Sequence, residues 1–214
     1  MTLLLALLWL ASAAPGTTAA ERGRQAAEAE VTTATVFGIG GQGNTFAFVF
    51  DRSGSMSEYE GRPLAAAKAE LINALKTLRP TNQFAIIFYN HRIAVFNPFE
   101  PQPTRLVFGD DSIKRQAERF VNQISAAGGT QHLEAMKLAL RLAPDVLFFL
   151  TDGREPPLTA RQLDDLDRLN RGTVIHAIEF GAGPAPEGDC FLKHLARRSA
   201  GQYVYIDVTK LPKR

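Results

Sequence analysis

Hydrophobic positions along the chain follow two rhythms. Residues 45–50, 84–89 and 146–150 are near-continuous apolar runs of strand length, as strands covered on both faces require. Between such runs, apolar side chains recur every three or four residues. Leu64, Ala67, Leu71, Leu75 and Leu78 follow Pro63 at helical spacing, and Pro80 ends the pattern. Ile113, Phe120, Val121 and Ile124 predict a helix over 112–124. Further helices are expected at 133–142, stopped by Pro144, at 159–170 with Thr159 as cap, and at 189–200. Residues 32–39 form another β-prone run, separated from 45–50 by a glycine-rich turn, and 173–180 and 202–207 complete the strands. Residues 92–96 follow the short Asn90-His91 turn and read as a hairpin partner of 84–89. Pro98, Pro101 and Pro103 make 97–110 a loop. Alternating strands and amphipathic helices predict an α/β fold: a doubly wound, mostly parallel sheet with helices on both faces and one antiparallel edge strand. No internal repeat is present.

Composition narrows the class. The chain has 214 residues, 45% hydrophobic and 21% charged, which suits one globular domain with extensions. Lys and Arg total 24 against 22 acidic residues; so even a balance argues against nucleic-acid binding by phosphate neutralisation. The single cysteine, Cys190, allows neither an intrachain disulfide nor a cysteine-built zinc site, and reads as a small buried residue. Residues 3–10 are an apolar run, followed by Ala11-Ser12-Ala13-Ala14. Residues 1–14 therefore read as a signal peptide or a truncated membrane anchor, although no Lys or Arg precedes the run; a misassigned start is the other reading. The first of these implies an exported or membrane-associated protein of the periplasm or cell envelope. Residues 15–30 read as a linker, 31–209 as the domain, and 210–214, with Lys210, Lys213 and Arg214, as a basic tail.

Three segments carry the candidate chemistry. In an open parallel sheet, ligands bind beyond the carboxyl ends of the strands, where strand order switches. Asp51-Arg52-Ser53-Gly54-Ser55 directly follows a buried strand. Thr130 follows Gly128-Gly129, and Asp152 follows the strand at 146–150. Every candidate donor is an oxygen, which suits a hard cation such as Mg²⁺, Mn²⁺ or Ca²⁺. A purely structural use of the same residues is also available: the two aspartates as turn residues and the two serines as helix caps.

The order Asp-x-Ser-x-Ser, Gly-Gly-Thr, Thr-Asp-Gly, with Met56 after Ser55, resembles the metal-ion-dependent adhesion site of von Willebrand factor type A domains, in the manner of small bacterial exported or tethered members. The resemblance covers roughly residues 31–208. It implies that Ser53, Ser55 and Thr130 bind a divalent cation directly, most readily Mg²⁺, while Asp51 and Asp152 act through water. Such a shell under-neutralises the ion and leaves one octahedral position for an Asp or Glu of a partner protein. Arg52, Met56, Tyr59, His132, Arg154 and Glu155 flank the ligands and are expected on the partner-binding rim. The implied protein is a monomeric, non-enzymatic interaction module, with a possible membrane tether at its N-terminus.

Two other functions stay open: a metal-assisted hydrolase or phosphotransferase, with His132 or Glu155 as base, and a structural envelope-complex domain with a vestigial metal site. Other motifs fall away. Gly38-Ile39-Gly40-Gly41-Gln42-Gly43 matches the dinucleotide fingerprint in form, but a strand rather than a helix follows it. His132-Leu133-Glu134 matches half of the zinc-deaminase signature and lacks the cysteine pair. His176 reads as a satisfied, partly buried strand histidine. An aspartyl phosphotransferase would carry a second carboxylate where Ser53 stands.

Overall fold

The computed structural model describes residues 31–153 and 156–212. The expected leader or anchor and the linker lie outside the described residues, as do Arg154, Glu155, Lys213 and Arg214. Thr32 opens a compact unit. Its strands are β1 (Thr32–Val36), β2 (Ile39–Gly43), β3 (Thr45–Asp51), β4 (Gln83–Tyr89), β5 (Ile93–Val95), β6 (Val107–Phe108), β7 (Val146–Thr151), β8 (Val174–Gly181) and β9 (Tyr203–Asp207). The helices are α1 (Glu58–Thr77), α2 (Asp111–Gln123), α3 (His132–Arg141), α4 (Ala160–Leu169) and α5 (Phe191–Arg198).

The main sheet runs β5-β4-β3-β7-β8-β9, with β6 also on β4. Strands β3, β4, β7, β8 and β9 are parallel, and β5 and β6 pair antiparallel with β4. The chain passes from β3 outward to β4, then returns to place β7 on the other side of β3. That reversal is the switch point, and it falls between β3 and β7.

The apolar strands sort side chains by parity. Phe46, Phe48 and Phe50 of β3 join one buried cluster with Leu71 and Leu75 of α1 and Val121 of α2. Ala47 and Val49 join the other, with Met136 of α3, Leu163 of α4 and Leu195 of α5. Both faces are thus covered, and period-2 alternation of polarity disappears from the sequence. Thr159 caps α4 with a full capping box to Gln162, as its sequence predicts.

Three details depart from expectation. The glycine-rich segment is not a turn but strand β2, paired with β1 in a separate two-stranded sheet. Its reversal sits at Phe37-Gly38, where φ is positive. Glycine serves the strand by close approach: a Cβ on Gly41 would lie 2.5 Å from Val146 Cγ1. The Pro-rich loop contains the two-residue β6, which uses a free edge of β4. Cys190 is only half-buried; it stands at the N-cap of α5, its Sγ 3.6 Å from Glu179 Oε2. His176 is buried as expected and accepts a hydrogen bond from the Gln202 N–H at 3.1 Å.

Candidate metal-binding site

Asp51 ends β3 and has no exposed surface. Its Oδ1 accepts the Ser53 N–H at 2.7 Å, which turns the chain back over the strand end. Its Oδ2 accepts the Thr151 hydroxyl at 2.8 Å. The β3–β7 ladder brings these two residues together, since it pairs Phe50 with Leu150. Asp152 follows Thr151 immediately and is half-buried.

Ser53 and Ser55 lie in and before a short 3₁₀ turn, Gly54–Ser57. The structural use of Ser53 would be as the cap of that turn, yet its side chain makes no cap hydrogen bond. Instead its Oγ lies 3.0 Å from Ser55 Oγ. Two oxygens bound cis on an octahedral Mg²⁺, each about 2.0–2.1 Å from it, stand about 3 Å apart. The hydroxyl pair therefore has the spacing such an ion needs. Among the described residues no three His, Cys, Asp or Glu side chains gather into a metal-holding group, so a cation here would be held by hydroxyls together with few carboxylates.

Thr130 reaches this edge through its loop. The Gly54 N–H donates to the Gly128 carbonyl at 2.8 Å, and the Ala127 N–H donates to the Arg52 carbonyl at 2.9 Å. Two main-chain bonds thus lace the Gly-Gly-Thr loop to the Asp-x-Ser-x-Ser loop. Asn90, buried at the end of β4, binds the same loop twice: its side chain donates to the Ala127 carbonyl, and its own carbonyl accepts the Gln131 N–H at 3.1 Å. Gly128 has φ +74°, and a Cβ there would lie 2.3 Å from Nδ1 of the exposed His91; any other residue would strain the backbone and displace that ring.

The electrostatics follow from burial. Desolvation pushes the Asp51 carboxyl up to about 6; the Ser53 N–H and the Thr151 hydroxyl oppose that, and the nearby charge of Asp152 adds to it. Burial also pushes the Tyr89 phenol well above its usual range, helped by the charge of Asp51. Negative charge is thus held at this edge at a cost that a cation would relieve.

The rim needs correction. Met56 is wholly buried, because the 3₁₀ turn folds its side chain into the core on the α1 side. His132 is 2% exposed. It packs among Tyr89, Phe149 and Phe191, with Nδ1 2.9 Å from the Tyr89 hydroxyl. Neither can touch a partner. Arg52 and Tyr59, which flank the candidate ligands in sequence, are half-exposed. Thr151, the first residue of the Thr-Asp-Gly motif, takes its role from its bond to Asp51; Asn90 and Tyr89 are the supporting residues that sequence reasoning missed. Their only local signal is a polar or amphipathic side chain at the end of an apolar strand.

A doubly wound, mostly parallel sheet with an antiparallel edge, and with Asp51 and Asp152 at the strand ends beside its switch point, defines an α/β domain of the von Willebrand type A fold. The family model of the von Willebrand factor type A domain matches residues 44–205, and the chain belongs to that family. Domains of this family generally mediate protein interactions and commonly bind a divalent metal. The chain is 34% identical over 95 residues to inter-alpha-trypsin inhibitor heavy chain H4 of Homo sapiens, covering 44% of this chain but 9% of that protein. The fold is similar to a von Willebrand factor type A structure from Catenulispora acidiphila, with TM-score 0.64, 24% identity, and coverage of 80% of this chain and 41% of that one. It is also similar to proximal thread matrix protein 1 from the mussel byssus, in a form with a zinc-occupied metal-ion-dependent adhesion site. There the TM-score is 0.55, the identity 19%, and the coverage 78% of this chain and 42% of that one. The chain spans less than half the length of each of these proteins. No helix among the described residues is long and apolar enough to cross a membrane.

Proposed function

We propose that this domain captures an acidic side chain of a partner protein through a divalent cation held by Asp51, Ser53, Ser55, Thr130 and Asp152. The observation that carries the reading is the pair of hydroxyl oxygens 3.0 Å apart over a fully buried carboxylate. When bound, the cation supplies an electrophilic position for a carboxylate oxygen. The neutral hydroxyls leave its charge under-compensated, so an anionic ligand is favoured over a further water. Asp51 orients Ser53 through the 2.7 Å main-chain bond. The oxygen donor set favours Mg²⁺ as the resident ion, with Mn²⁺ or Ca²⁺ as substitutes. Arg52 and Tyr59 flank the opening and would select among partners, and Arg154 and Glu155 share that role by their place in sequence. Export or envelope attachment through residues 1–14, and a monomeric domain, belong to the same proposal.

A binding role is preferred to hydrolysis on one observation. Of the two candidate general bases, His132 is buried and engaged with Tyr89, poorly placed to reach a substrate, and Glu155 lies outside the described residues. Titration calorimetry with Mg²⁺ and Mn²⁺, followed by a pull-down with and without chelator, tests the proposal. Cation-dependent capture that Asp51→Ala and Thr130→Ala abolish is the expected result. Capture that survives chelation would overturn it, and a chain that binds no divalent cation would make the site vestigial.

A further inference from the structure

Arg52 stands between Asp51 and Ser53, and its main chain helps to build the loop around the cradle. Its N–H donates to the Tyr89 carbonyl at 2.7 Å, and its carbonyl accepts the Ala127 N–H at 2.9 Å. Its side chain has much less to do. A guanidinium carries five donors. Here Nη1 meets the Ser125 carbonyl at 3.4 Å, and Nε is shut off from solvent with no hydrogen-bond partner among the described residues. Buried donors are nearly always satisfied, so a better acceptor would readily draw this side chain out of its resting pose.

The surroundings say which acceptor. The Asn90-His91-Arg92 turn is bound to the same 125–131 loop that Arg52 meets. The Asn90 carbonyl accepts the Gln131 N–H, the Asn90 side chain donates to the Ala127 carbonyl, and the His91 ring lies against Gly128. The Arg92 N–H donates to Asn90 Oδ1 at 2.7 Å, which tightens the turn. His91 and Arg92 are both exposed. Residues 52–57, 90–97 and 119–133, the stretches that carry and adjoin these side chains, hold no Asp or Glu; acidic residues resume at Glu58 and Glu134. Among the described residues, Arg52, His91 and Arg92 form no ion pair. The result is a positive flank with no carboxylate of its own, next to the Asp-x-Ser-x-Ser loop. A guanidinium fork fits a carboxylate in two parallel hydrogen bonds.

We propose that this flank is a second acid-binding subsite, so that the partner is an extended acidic segment with two carboxylates. One meets the cation, and the other meets Arg52 with Arg92 and His91 beside it. The proposal rests on the cation reading above and adds to it the kind of partner. Side chains i and i+2 of an extended segment leave the same side about 7 Å apart. An Asp-x-Asp pattern can therefore offer one carboxylate to the ion and the next to the guanidinium.

The test uses the full chain and labelled peptides in a Gly-Ser background that carry Asp-Gly-Asp, Asp-Gly-Ser or Asp-Gly-Lys. Peptide affinities are read by fluorescence polarisation in Mg²⁺ and in chelator, and Mg²⁺ affinities and melting temperatures by calorimetry. Wild type in Mg²⁺ should bind Asp-Gly-Asp about 3- to 10-fold more tightly than Asp-Gly-Ser, and Asp-Gly-Lys more weakly than either. Arg52→Gln, which keeps both main-chain bonds, should bring the first two affinities together. Arg92→Gln should narrow the gap, and this variant of an exposed turn carries the test if Arg52→Gln melts early. Arg52→Glu should reverse the order in favour of Asp-Gly-Lys. Equal wild-type affinities for Asp-Gly-Asp and Asp-Gly-Ser, or a preference that survives both glutamine variants, would overturn the inference and leave the cation reading standing. A preference undiminished in chelator would overturn the cation reading and keep the subsite. A chain that binds no Mg²⁺, or binds Mg²⁺ and no peptide, would bring down both.

Discussion

Replacing Asp51 by Asn removes a charge that the fold has taken out of water, and the consequence has a sign that depends on pH. In the metal-free protein the Asp51 carboxyl titrates at about 6, against an ordinary value of 3.8. Each pKa unit is worth about 1.36 kcal/mol, so ionised Asp51 costs the fold roughly 3 kcal/mol at pH 7. The folded-state value is raised. Its penalty is therefore absent below pH 3.8, grows as pH rises from there to about 6, and is constant above. Asn carries no such penalty. Its Oδ1 can still accept the Ser53 N–H, and its amide can donate to the Thr151 oxygen once that hydroxyl turns, a rearrangement costing about 1 kcal/mol. The net expectation for Asp51→Asn in chelator at pH 7 is a gain of about 2 kcal/mol, or about 4–8 °C in melting temperature for a domain of this size. Calorimetric melts between pH 4 and 8 should show the advantage of the variant opening between pH 4 and 6. Millimolar Mg²⁺ should then reverse the ranking. It stabilises wild type by about 2.7 kcal/mol at a hundredfold excess over Kd and leaves the variant unmoved. A variant less stable than wild type at pH 7 in chelator, or a difference flat across pH, would refute the reasoning.

Other outcomes follow from single contacts. Ser53→Ala and Ser55→Ala should each weaken Mn²⁺ binding at least tenfold by calorimetry, with denaturant midpoints close to wild type, because neither hydroxyl caps a helix. Gly128→Ala forces a Cβ toward His91 at positive φ and should cost about 1–2 kcal/mol in urea melts; because that loop carries Thr130, Mg²⁺ affinity should fall with it. Phe148→Ala removes a ring stacked on Phe48 with centroids 5.6 Å apart and should cost about 3–5 kcal/mol, read as a lower denaturant midpoint.

Strand and helix positions were largely legible because each of them is a local signal. Residues 45–50 and 84–89 are apolar throughout because both faces of β3 and β4 are covered, and the Thr159–Gln162 box writes the start of α4 into four residues. Asp51, Ser53, Ser55, Thr130 and Asp152 form a candidate group in sequence because their three segments each follow a strand or a glycine turn, and the structure laces the first two of those segments together by main-chain bonds. What stayed hidden depends on distant chain. Met56 follows the candidate ligands in sequence and turns inward because a 3₁₀ turn precedes the helix there. His132 stands beside Thr130 and is swallowed by Phe149 and Phe191, which come from later elements. Asn90 binds a loop 37 residues away, and nothing near it in sequence announces that. The glycines of β2 read as turn residues because their steric partner, Val146, lies about a hundred positions downstream.

On the proposed reading, the placement of the cation site at the β3–β7 edge makes it costly to keep without metal. A switch point gives an opening because the chain leaves the two central strands in opposite directions, but the strands on either side bury whatever ends them. Asp51 therefore sits where it can meet an ion and where its own charge is poorly solvated. Thr151 and the Ser53 N–H satisfy both of its oxygens without neutralising them, and the half-buried Asp152 adds a second negative charge close by. A more acidic first shell would bind the ion more tightly and would also cancel its positive charge, leaving less to attract an outside carboxylate. Hydroxyls at Ser53, Ser55 and Thr130 avoid that cancellation. On this reading the residual positive charge and the cost of the metal-free site have one source, so substitutions that lower that cost, such as Asp51→Asn, should consistently be those that weaken capture of an acidic partner.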